Sequence, residues 1–532
     1  MKMPQLKRSF SIPVTEGWLE LFLTPTQKNT FSRWQETVSN KSLTAKHTDT
    51  YFDLMAKYIP KNIAPNAISL SGFIVMANSW YIMSKYGMSF PRECTWFALL
   101  SIVFFFVTNS LDLKHADHIR QRTPLGELFK YSCDCASTVF LCMLTTYCVG
   151  GTSWVTQWYA VQTSTLIVFT KHLSAFHRQS GLRYNVLTGP GEVISAVILL
   201  LTIRGIFGLE WMLNLYGATL HKVVQLLAPY NLVTEVIEKH DILDKVSDPV
   251  ELGGELMKVG YYSVYFLAMA KTLLLDSTKH SWSRFGISVS LLMRIGPAVC
   301  AHMGWPNESS NISTVADGLF MSVLISDITL AKMSGREIHV WVVMMSFCSI
   351  LSHSVILTMV AVYYIAIFGD LCHHTNMPLL TVCVNVYCDG VYDLCHIGHK
   401  NLFKRALGYG NRLFVGVCGD KDCANYKRPP IMTHDERCAE VEACKSVTKV
   451  IENAPCFGID QEFLDKHQIH AVAFGAEYLE RWPDPKDDVY YGYCRRLGIA
   501  HPMPRTPGLS TSDLIRRVQQ SQPADNKIDL PK

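Results

Sequence analysis

Two histidines, His396 and His399, have the type and spacing that point most directly to chemistry. They end the stretch D-G-V-Y-D-L-C-H-I-G-H, Asp389–His399, which follows Thr381–Tyr387, an apolar run of β-strand length. A helical pattern begins near Ile397, so both imidazoles are expected on one face of a helix N-terminus. Unpaired N–H groups at such an end bind phosphate, and imidazole donors can follow charge that develops on a phosphoryl group.

Gly390 permits the tight turn that this strand-to-helix connection needs. The whole stretch resembles the nucleotidyltransferase signature of the choline-phosphate and ethanolamine-phosphate cytidylyltransferases. The class I aminoacyl-tRNA synthetases share H-I-G-H, but their second signature, a K-M-S-K-S loop, should follow it along the chain. The K-M-S of this chain, Lys332–Ser334, precedes the histidines and adjoins an apolar segment. That order excludes the synthetase interpretation.

The overall composition indicates several domains and a large apolar part. The 532 residues are 49% hydrophobic, and the mean hydropathy of +0.14 is high for a soluble protein. The formal net charge of +4 is too small to indicate a nucleic-acid partner. The 17 cysteines are scattered without a C-x-x-C pair or zinc-ligand spacing, which favours a reducing compartment and buried thiols over disulfides.

Long apolar runs are concentrated between about Ala67 and Phe368. Since a membrane-spanning helix needs about 20 mostly apolar residues, we predict a polytopic all-α membrane domain of about nine or ten helices over residues 61–370. Residues 1–60 are predicted to be a cytosolic segment with an interfacial helix near Tyr51–Tyr58. The candidate spans lie near 67–85, 94–110, 134–150, 152–170, 191–208, 259–275, 284–302 and 316–333, with a last run, 339–369, long enough for two helices.

From Thr381 onward the composition is that of a soluble α/β domain, and residues 371–380 are predicted to be a linker. Apolar runs alternate with helical patterns, which predicts a Rossmann-like α/β nucleotidyltransferase fold over residues 381–518, followed by a polar tail, 519–532. Thr433 and Glu436 have the spacing of a capping box. The predicted strands are Leu413–Cys418, Val447–Ile451 and Ala471–Phe474, and the predicted helices are His434–Ser446, Gln461–His467 and Leu514–Gln519.

Three motifs within residues 381–518 together resemble the catalytic domain of the choline-phosphate cytidylyltransferases. They are Asp389–His399, Y-K-R-P-P-I-M-T-H-D-E-R at Tyr426–Arg437, and R-T-P-G-L-S-T-S-D at Arg505–Asp513. The resemblance implies a reaction of CTP with a phosphorylated alcohol that gives a CDP-alcohol and pyrophosphate. Attack would be in line at the α-phosphorus, so positioning and charge stabilisation would supply the catalysis.

The same resemblance implies roles for individual residues. His396 and His399 would hold the α-phosphate as its charge builds. Lys427 would reach the triphosphate or the incoming phosphate, and Arg505 would bind the leaving pyrophosphate. CTP binding is expected at Asp389, Gly390, Arg437, Gly508, Ser510 and Thr511. Mg²⁺ is expected with CTP, held largely by phosphates and water.

A binding site for the head group of the phosphorylated alcohol is expected to consist of anionic and aromatic side chains. The candidates are Asp389, Tyr392, Tyr478 and Trp482, although Tyr478 and Trp482 can equally be core and surface aromatics. The family usually has a histidine and acidic residues after this strand, whereas this chain has F-G-A-E-Y at Phe474–Tyr478. The choice between choline and ethanolamine therefore stays open.

The apolar half resembles the CDP-alcohol phosphotransferases, in particular the choline and ethanolamine phosphotransferases, over roughly residues 40–370. The matching segments are Ile63–Gly72, Pro124–Phe129, Gly189–Glu192 and Lys332–Ser334. The family signature, D-x2-D-G-x2-A-R-x8-G-x3-D-x3-D, implies four aspartates that converge on two divalent cations. At its positions this chain has Asn109, Asp112, Leu113, Ala116, Asp117, Gly126, Lys130 and Asp134.

Two of those four aspartates are thus replaced, by Asn109 and Lys130. An ammonium at position 130 would repel a cation from the place of a metal ligand, and Asp117 puts negative charge where the family would hold nucleotide phosphate. We expect Asp112 and Asp134 to pair with Lys130 in a structural ion cluster, with loss of phosphotransfer. The two carboxylates would bind a metal only if the site were active.

The sequence therefore predicts a CDP-alcohol phosphotransferase-like membrane domain fused to a choline-phosphate or ethanolamine-phosphate cytidylyltransferase of phospholipid synthesis, in the Kennedy pathway. CTP use places the C-terminal domain in the cytosol. We expect a multi-pass protein of the endoplasmic reticulum and, from the resemblance, a homodimer. Two alternatives stay open: a bifunctional enzyme that also transfers the phosphoalcohol to diacylglycerol, and a membrane scaffold with both sites inactive. Glycerol 3-phosphate is a further candidate acceptor, because related transferases share the histidine motif.

Overall fold

A computed structural model of the chain describes residues 21–35, 39–40, 42–186, 189–227, 249–303, 311–348, 353–426, 429–455 and 457–521. The chain divides into two compact units. The first, the helical unit, comprises Met1–His118 and Arg122–Thr381, and the second, the α/β unit, comprises Ile119–Gln121 and Val382–Lys532. Residues 1–20 of the predicted cytosolic segment and residues 522–532 of the predicted tail lie outside the described residues.

Proline starts several helices of the helical unit, among them those at Pro65, Pro124 and Pro190, because the first turn of a helix needs no N–H donor there. A pair of two-residue parallel strands, β1 (Ser39–Asn40) and β2 (Arg183–Tyr184), joins distant parts of the chain. In chain order the helices are α1 (Pro25–Ser32), α2 (Leu43–Ala56), α3 (Pro65–Tyr86), α4 (Pro91–His118), α5 (Pro124–Cys148), α6 (Trp154–Arg178), α7 (Pro190–Phe207), α8 (Leu209–Leu227), α9 (Pro249–Leu273), α10 (Ser281–Leu292), α11 (Ile295–Met303), α12 (Asn311–Ser334), α13 (Val340–Cys348) and α14 (His353–Thr375).

Among the described residues, five helices are long and apolar enough to cross a membrane: α3, α4, α7, the Ile312–Ser334 part of α12, and α14. This finding indicates a membrane protein. Helices α5 and α6 coincide with two other predicted spans but bury polar side chains such as Glu127 and Gln162. The last apolar run contains two helices, α13 and α14, as predicted. The total of nine or ten spans stays a prediction.

Two regions of the helical unit differ from the predicted spans. The run 284–302 is not one helix but two, α10 and α11, which are separated at Arg294. Pro297 lacks the N–H that a continuous helix would need there, and the Arg294 guanidinium turns inward to Asp317, 2.9 Å away. Helix α8 is absent from the sequence predictions because its segment lacks a long apolar run, and the interfacial helix expected near Tyr51–Tyr58 corresponds to the end of α2.

Helix α12 is the most deeply buried of the candidate membrane-spanning helices, with 94% of its apolar window inside the protein. Two of its aspartates lie in buried ion pairs. Asp317 accepts a hydrogen bond from Arg294 at 2.9 Å. Asp327 pairs with Arg336 and accepts a hydrogen bond from the Tyr363 hydroxyl at 2.9 Å. Because a buried charge without a partner is costly, these pairs fix the orientation of α12.

Lys130 occupies the centre of the signature that resembles the phosphotransferases. Its Nζ donates to both carboxylate oxygens of Asp112 at 2.8 Å and to the Asn109 carbonyl oxygen at 2.6 Å. Asp134 lies 3.6 Å from the same ammonium and accepts from Asn109 Nδ2 at 2.9 Å. The Ser69 hydroxyl donates to Asp112 at 2.7 Å. The pairing of Lys130 with both aspartates is therefore as predicted, and the ammonium fills the space between the carboxylates.

The other signature positions serve different contacts. Asp117, half-exposed, pairs with Arg122 at 3.3 Å. A Cβ at Gly126 would lie 3.3 Å from Asn66 Oδ1 and from Thr123 Oγ1, so this close packing favours glycine. The structure thus brings four signature positions into one cluster, namely Asn109, Asp112, Lys130 and Asp134.

We predict that Lys130→Met lowers the free energy of unfolding of the helical unit by about 3–5 kcal/mol, because it leaves buried carboxylates without their cation. The measurement is denaturant-induced unfolding of the full-length protein in detergent, followed by the exposure of its buried cysteines.

Lys114→Met is the matched control. Lys114 pairs with Asp53 at 2.8 Å and Asp49 at 3.4 Å, and both carboxylates are more than half exposed. An exposed pair contributes less than about 1 kcal/mol, so this variant should unfold nearly like the parent protein. Equal losses in the two lysine variants would contradict the structural role of the Lys130 cluster.

The α/β unit contains a five-stranded parallel sheet in the order β5–β4–β3–β6–β7. The strands are β3 (Asn385–Gly390), β4 (Arg412–Cys418), β5 (Lys449–Ala454), β6 (Ala471–Gly475) and β7 (Ala500–Met503). The helices are α15 (Ile397–Ala406), α16 (Asp420–Tyr426), α17 (His434–Glu442), α18 (Gln461–Lys466), α19 (Glu477–Arg481), α20 (Gly492–Arg496) and α21 (Thr511–Ser521), with a 3-10 turn at Leu407–Tyr409. This parallel sheet agrees with the predicted Rossmann-like class.

The sheet is covered on both faces. Val386 and Cys388 of β3 belong to one buried apolar cluster, and Tyr387 between them belongs to another. Successive strand side chains point to opposite faces, so the two clusters lie on opposite sides of the sheet. The strand order changes direction between β3 and β6, and such a switch point opens a crevice at the carboxyl ends of the strands.

The first strand begins later than its apolar run suggests, at Asn385 rather than Thr381. The Asn411 side chain accounts for the difference. Its Oδ1 accepts from the Val384 N–H at 2.8 Å, and its Nδ2 donates to the Val382 carbonyl at 2.8 Å. These backbone groups are therefore satisfied by a side chain instead of a neighbouring strand.

Other boundaries differ by a few residues. The helix predicted over His434–Ser446 ends at Glu442, although its capping box of Thr433 and Glu436 is confirmed. Strand β7 is absent from the sequence predictions because it is four residues long and contains Pro502, which is tolerated at a sheet edge.

Candidate active site

A cleft of about 490 Å³ opens at the switch point between β3 and β6. Its walls come from the ends of both strands, the loop before α15 and the loop before α21. The structure brings most of the site residues predicted for the α/β unit to this cleft, namely Asp389, Gly390, Tyr392, His396, His399, Tyr478, Arg505, Ser510 and Thr511. Motifs that lie more than a hundred residues apart in the sequence thus meet at the carboxyl ends of the strands.

The loop between β3 and α15 contains two non-glycine residues in an unfavourable backbone conformation. Tyr392 and Leu394 have φ angles of 54° and 52°, in the left-handed region, where each non-glycine residue costs about 1–2 kcal/mol. The buried carboxylate of Asp393 holds this loop, because it accepts hydrogen bonds from the N–H groups of Ile431 and Met432 at 3.0–3.1 Å. Asp393 therefore ties the histidine motif to the loop that precedes α17.

His396 is the N-cap of α15, and its Nδ1 accepts a hydrogen bond from the Gly398 N–H at 3.1 Å. The ring proton of the neutral form is therefore on Nε2, which lies 3.5 Å from the Thr511 hydroxyl. A Cβ at Gly398 would lie 2.9 Å from two atoms of this ring, so the fold-back of His396 requires glycine there. Burial, and then the charge of Arg505, lowers the pKa of His396, which keeps the imidazole neutral at neutral pH.

His399 stacks on His396 with ring centroids 3.9 Å apart and an angle of 18° between the planes. Tyr392 meets the His399 ring edge-on at 5.3 Å and also packs against Phe403 at 5.0 Å. The Tyr392 hydroxyl lies 3.5 Å from Cys388 Sγ, and the residue is only 3% exposed. Tyr392 thus packs against His399 and also borders the cleft, and its part in the head-group site stays a prediction.

The second wall of the cleft comes from the loop before α21. Arg405 of α15 donates to the Pro504 carbonyl at 2.7 Å and so holds the exposed Arg505 at the cleft. The Ser510 hydroxyl caps α21, where it accepts from the Asp513 N–H at 3.1 Å. The N-termini of α15 and α21 therefore face one cavity beside a guanidinium, which is an arrangement suited to a polyphosphate.

Asp389 lies at the end of β3, where its Oδ1 accepts from the Tyr491 hydroxyl at 2.8 Å. Burial raises the pKa of Asp389 from 3.8 to about 6, and the hydrogen bond from Tyr491 opposes this rise. The carboxylate is thus ionised at neutral pH in a partly apolar setting. Asp488 orients the tyrosine partner by accepting from the N–H groups of Tyr490 and Tyr491 at 3.0 and 2.9 Å.

Aromatic side chains line the same end of the cleft. Tyr478 packs edge-on against Tyr490 at 5.2 Å and Tyr491 at 5.0 Å, and all three border the cavity. Trp482 stacks behind Tyr478 at 5.6 Å and is not among the lining residues of the described cleft. The predicted role of Tyr478 at the cleft fits its position, whereas Trp482 supports it from behind.

Two other predicted residues, Arg437 and Gly508, are not among the residues that line the described cleft, and a third, Lys427, lies outside the described residues. Arg437, expected to assist CTP binding, is fully buried and donates to the carbonyl oxygens of Val391 and Cys418 at 2.6 and 2.9 Å and to Asp420 at 2.6 Å. It therefore fastens strand ends instead of facing the cleft. Gly508, with a φ of 70°, forms the turn before α21.

Comparison with known proteins agrees with this geometry. Residues 387–517 match the family model described as cytidylyltransferase-like. The α/β unit is therefore a cytidylyltransferase-like domain, of the nucleotidyltransferase class. This match covers the histidine motif, the loop before α17 and the loop before α21.

Curated relatives match the same part of the chain. Ethanolamine-phosphate cytidylyltransferase of Mus musculus is 37% identical over 135 residues, which are 25% of this chain and 32% of the relative. Choline-phosphate cytidylyltransferase A of Rattus norvegicus is 38% identical over 142 residues, 25% of this chain and 36% of the relative. Choline-phosphate cytidylyltransferase 2 of Arabidopsis thaliana is 38% identical over 137 residues, 25% and 44% of the two chains.

The chain thus spans between about a third and less than half of the length of these relatives. Among solved structures, the lipopolysaccharide core biosynthesis protein of Thermoplasma volcanium matches 24% of this chain and 100% of its own, at 22% identity and a TM-score of 0.20. That likeness is too small to support a conclusion.

Sequence reasoning misses several residues that border or shape the cleft. Asp393 has a local signal, since it lies within the D-G-V-Y-D stretch, but its partners Ile431 and Met432 are distant. Tyr491 contacts Asp389 across 102 positions of sequence, and no spacing rule reveals that contact.

We predict that Asp389→Asn makes β3 more stable relative to the parent protein as the pH rises. When the pKa of a carboxylate is higher in the folded than in the unfolded protein, ionisation of that carboxylate lowers the free energy of unfolding. At about 1.4 kcal/mol per pKa unit, the free energy of unfolding of the parent protein falls by up to about 3 kcal/mol between pH 4 and pH 7. Asparagine removes this loss and still offers Tyr491 an oxygen acceptor. The measurement is amide hydrogen exchange of β3 in the full-length protein, corrected for the intrinsic pH dependence.

Asp435→Asn, at a fully exposed carboxylate of α17, is the control. It should leave the pH dependence of hydrogen exchange in β3 as it is in the parent protein. A β3 profile in Asp389→Asn that is parallel to that of the parent protein would show that Asp389 is not buried as a charge.

Proposed function

We propose that the protein is a membrane-anchored cytidylyltransferase that converts CTP and phosphocholine or phosphoethanolamine into the CDP-alcohol and pyrophosphate for phospholipid synthesis. One observation carries the proposal. The Nε2 donor of His396 lies in a cleft that also receives Arg505 and two helix N-termini. The relatives that match this domain are named as cytidylyltransferases for these two phosphoalcohols.

In the proposed reaction, a phosphate oxygen of the phosphoalcohol attacks the α-phosphorus of CTP. A new P–O bond forms, the bond from the α-phosphorus to the bridging oxygen breaks, and pyrophosphate leaves. His396 and His399, fixed by their stacking, donate hydrogen bonds to the α-phosphate oxygens as negative charge develops there. Arg505 and the N-terminus of α21, with Ser510 and Thr511, hold the β- and γ-phosphates.

Lys427 is proposed to reach the same phosphates, since in the sequence it precedes Ile431 by four positions, and the Ile431 N–H donates to Asp393 of the histidine motif. Mg²⁺ would enter with CTP as part of the substrate. The phosphate-facing wall offers imidazoles, hydroxyls and a guanidinium rather than grouped carboxylates, and within the described ranges no set of three His, Cys, Asp or Glu side chains could hold a metal. Phosphate oxygens and water would therefore supply most of its ligands.

The cationic head group of the acceptor is proposed to bind at the other end of the cleft. The ionised carboxylate of Asp389 offers an anion there, and the side chains of Tyr478 and Tyr490 border the same end. The acceptor phosphate would then point toward the histidines, because the cleft joins both ends.

The helical unit is proposed to be a phosphotransferase-like anchor that holds the enzyme at a membrane, in the endoplasmic reticulum with the α/β unit in the cytosol. Loss of phosphotransfer is supported by Lys130, whose ammonium lies where the resemblance implies a metal-ligand carboxylate and is bonded to Asp112. Transfer of the phosphoalcohol from a CDP-alcohol to diacylglycerol by the full-length protein, abolished in Asp134→Asn, would instead establish a bifunctional enzyme.

We predict that the purified full-length protein releases pyrophosphate from CTP in the presence of Mg²⁺ and phosphocholine or phosphoethanolamine. Removal of the imidazole in His396→Ala should lower kcat by a factor of about 100 or more, as expected for the loss of a donor to developing charge. A coupled pyrophosphate assay measures both proteins.

His501→Ala is the control, because His501 lies on β7 and stacks on Tyr409 at 4.2 Å, outside the cleft lining. It should retain the parent rate. Absence of pyrophosphate release with either acceptor would disprove the proposed function and favour an inactive scaffold.

A further inference from the structure

Glu477 is a second carboxylate at the head-group end of the cleft. It is the first residue of α19, two positions after the end of β6, and it borders the cavity together with Gly475 and Tyr478. A Cβ at Gly475 would lie 2.6 Å from Glu477 Cδ, so the carboxylate packs against the bare glycine backbone. The glycine therefore leaves room for an acidic group at the end of β6.

Glu477 and Asp389 both border the cleft, where the neighbouring strands β3 and β6 end. Strands β3 and β6 are parallel neighbours, and Tyr387 lies opposite Val472. Two residues further along each strand, Asp389 and Phe474 lie near the carboxyl ends of these strands. Neighbouring strands lie about 4.8 Å apart, so the ends of β3 and β6 present two carboxylates to one crevice. The third acidic residue of the lining, Asp393, is engaged by backbone N–H groups.

The aromatic side chains at this end leave little space for a bulky cation between them. The ring centroids of Tyr478 and Tyr490 are 5.2 Å apart, and those of Tyr478 and Tyr491 are 5.0 Å apart. A cation binds a ring at up to about 6 Å from its centroid, so a trimethylammonium group held between two rings requires a much wider separation. Rings in direct contact with each other do not form such a cage.

A primary ammonium fits these groups better than a quaternary one. It carries three N–H donors, whereas a trimethylammonium group has none. Charge-assisted bonds from N–H to carboxylate are about twice as strong as neutral ones. A ligand that lacks these donors would cover the carboxylates of Asp389 and Glu477 without giving either of them a hydrogen bond.

We propose that Glu477 is a specificity-determining residue that, together with Asp389, selects an acceptor with a primary ammonium, of the phosphoethanolamine type, over a quaternary ammonium and over a neutral polyol phosphate. This inference rests on the proposed cytidylyltransferase function. It assigns the head-group choice to the pair of carboxylates at the ends of β3 and β6 rather than to an aromatic cage.

The test compares kcat/KM of the full-length protein with phosphoethanolamine, phosphocholine and glycerol 3-phosphate at saturating MgCTP. We expect phosphoethanolamine to be preferred by about tenfold or more, as for a site whose polar groups need a donor. Glu477→Gln should lower kcat/KM for phosphoethanolamine about tenfold, the size expected for one charge-assisted bond, with less than about a twofold change for phosphocholine and an unchanged KM for CTP.

Two further variants complete the comparison. Glu480→Gln removes an exposed carboxylate of the same helix that is outside the cleft lining, and it should match the parent protein. Glu477→Asp keeps the charge and should retain a preference for phosphoethanolamine, which keeps the proposal testable if the amide variant unfolds.

A preference of the parent protein for phosphocholine or glycerol 3-phosphate would overturn the inference while leaving the cytidylyltransferase function intact. Equal losses for phosphoethanolamine and phosphocholine in Glu477→Gln, or a raised KM for CTP, would overturn it as well. Absence of turnover with all three acceptors would be a different result, since it would disprove the proposed function itself and this inference with it.

Discussion

The candidate active site depends on the buried carboxylate of Asp393. Two left-handed residues, Tyr392 and Leu394, turn the chain from β3 into α15, and this backbone is costly by itself. Hydrogen bonds from Ile431 and Met432 to Asp393 hold the turn. Because the turn sets where α15 begins, the same contact determines where both histidines lie.

From that point the site follows by local geometry. Once α15 begins after His396, the Gly398 N–H fixes the tautomer of that imidazole and directs its Nε2 donor toward α21. Stacking on His399 removes the remaining freedom of the ring. The arrangement is thus preorganised for a charge that appears only during reaction, which is the condition under which hydrogen-bond donors accelerate a reaction.

Structural features that depend on neighbouring residues in the chain can be predicted from the sequence. The helix start at Ile397, the capping box at Thr433 and the separation into an apolar and an α/β part all follow from short-range patterns. Contacts between residues that are distant in the sequence do not follow from such patterns. The burial of Arg437 beneath the strand ends and the bond from Tyr491 to Asp389 depend on sheet order, which no local pattern specifies. The break of the 284–302 run likewise reflects a tertiary partner, Asp317, as much as Pro297.

The most direct test of the account follows the α-phosphate of CTP through the reaction. Full-length protein would be incubated with CTP labelled at the α-phosphate, Mg²⁺ and phosphoethanolamine, and the label would be located by chromatography and on the denatured protein. If the histidines act as donors to an in-line displacement, the label appears in the CDP-alcohol alone, in amounts equal to the unlabelled pyrophosphate. Label in CMP, or bound covalently to the protein at His396 or His399, would contradict the account.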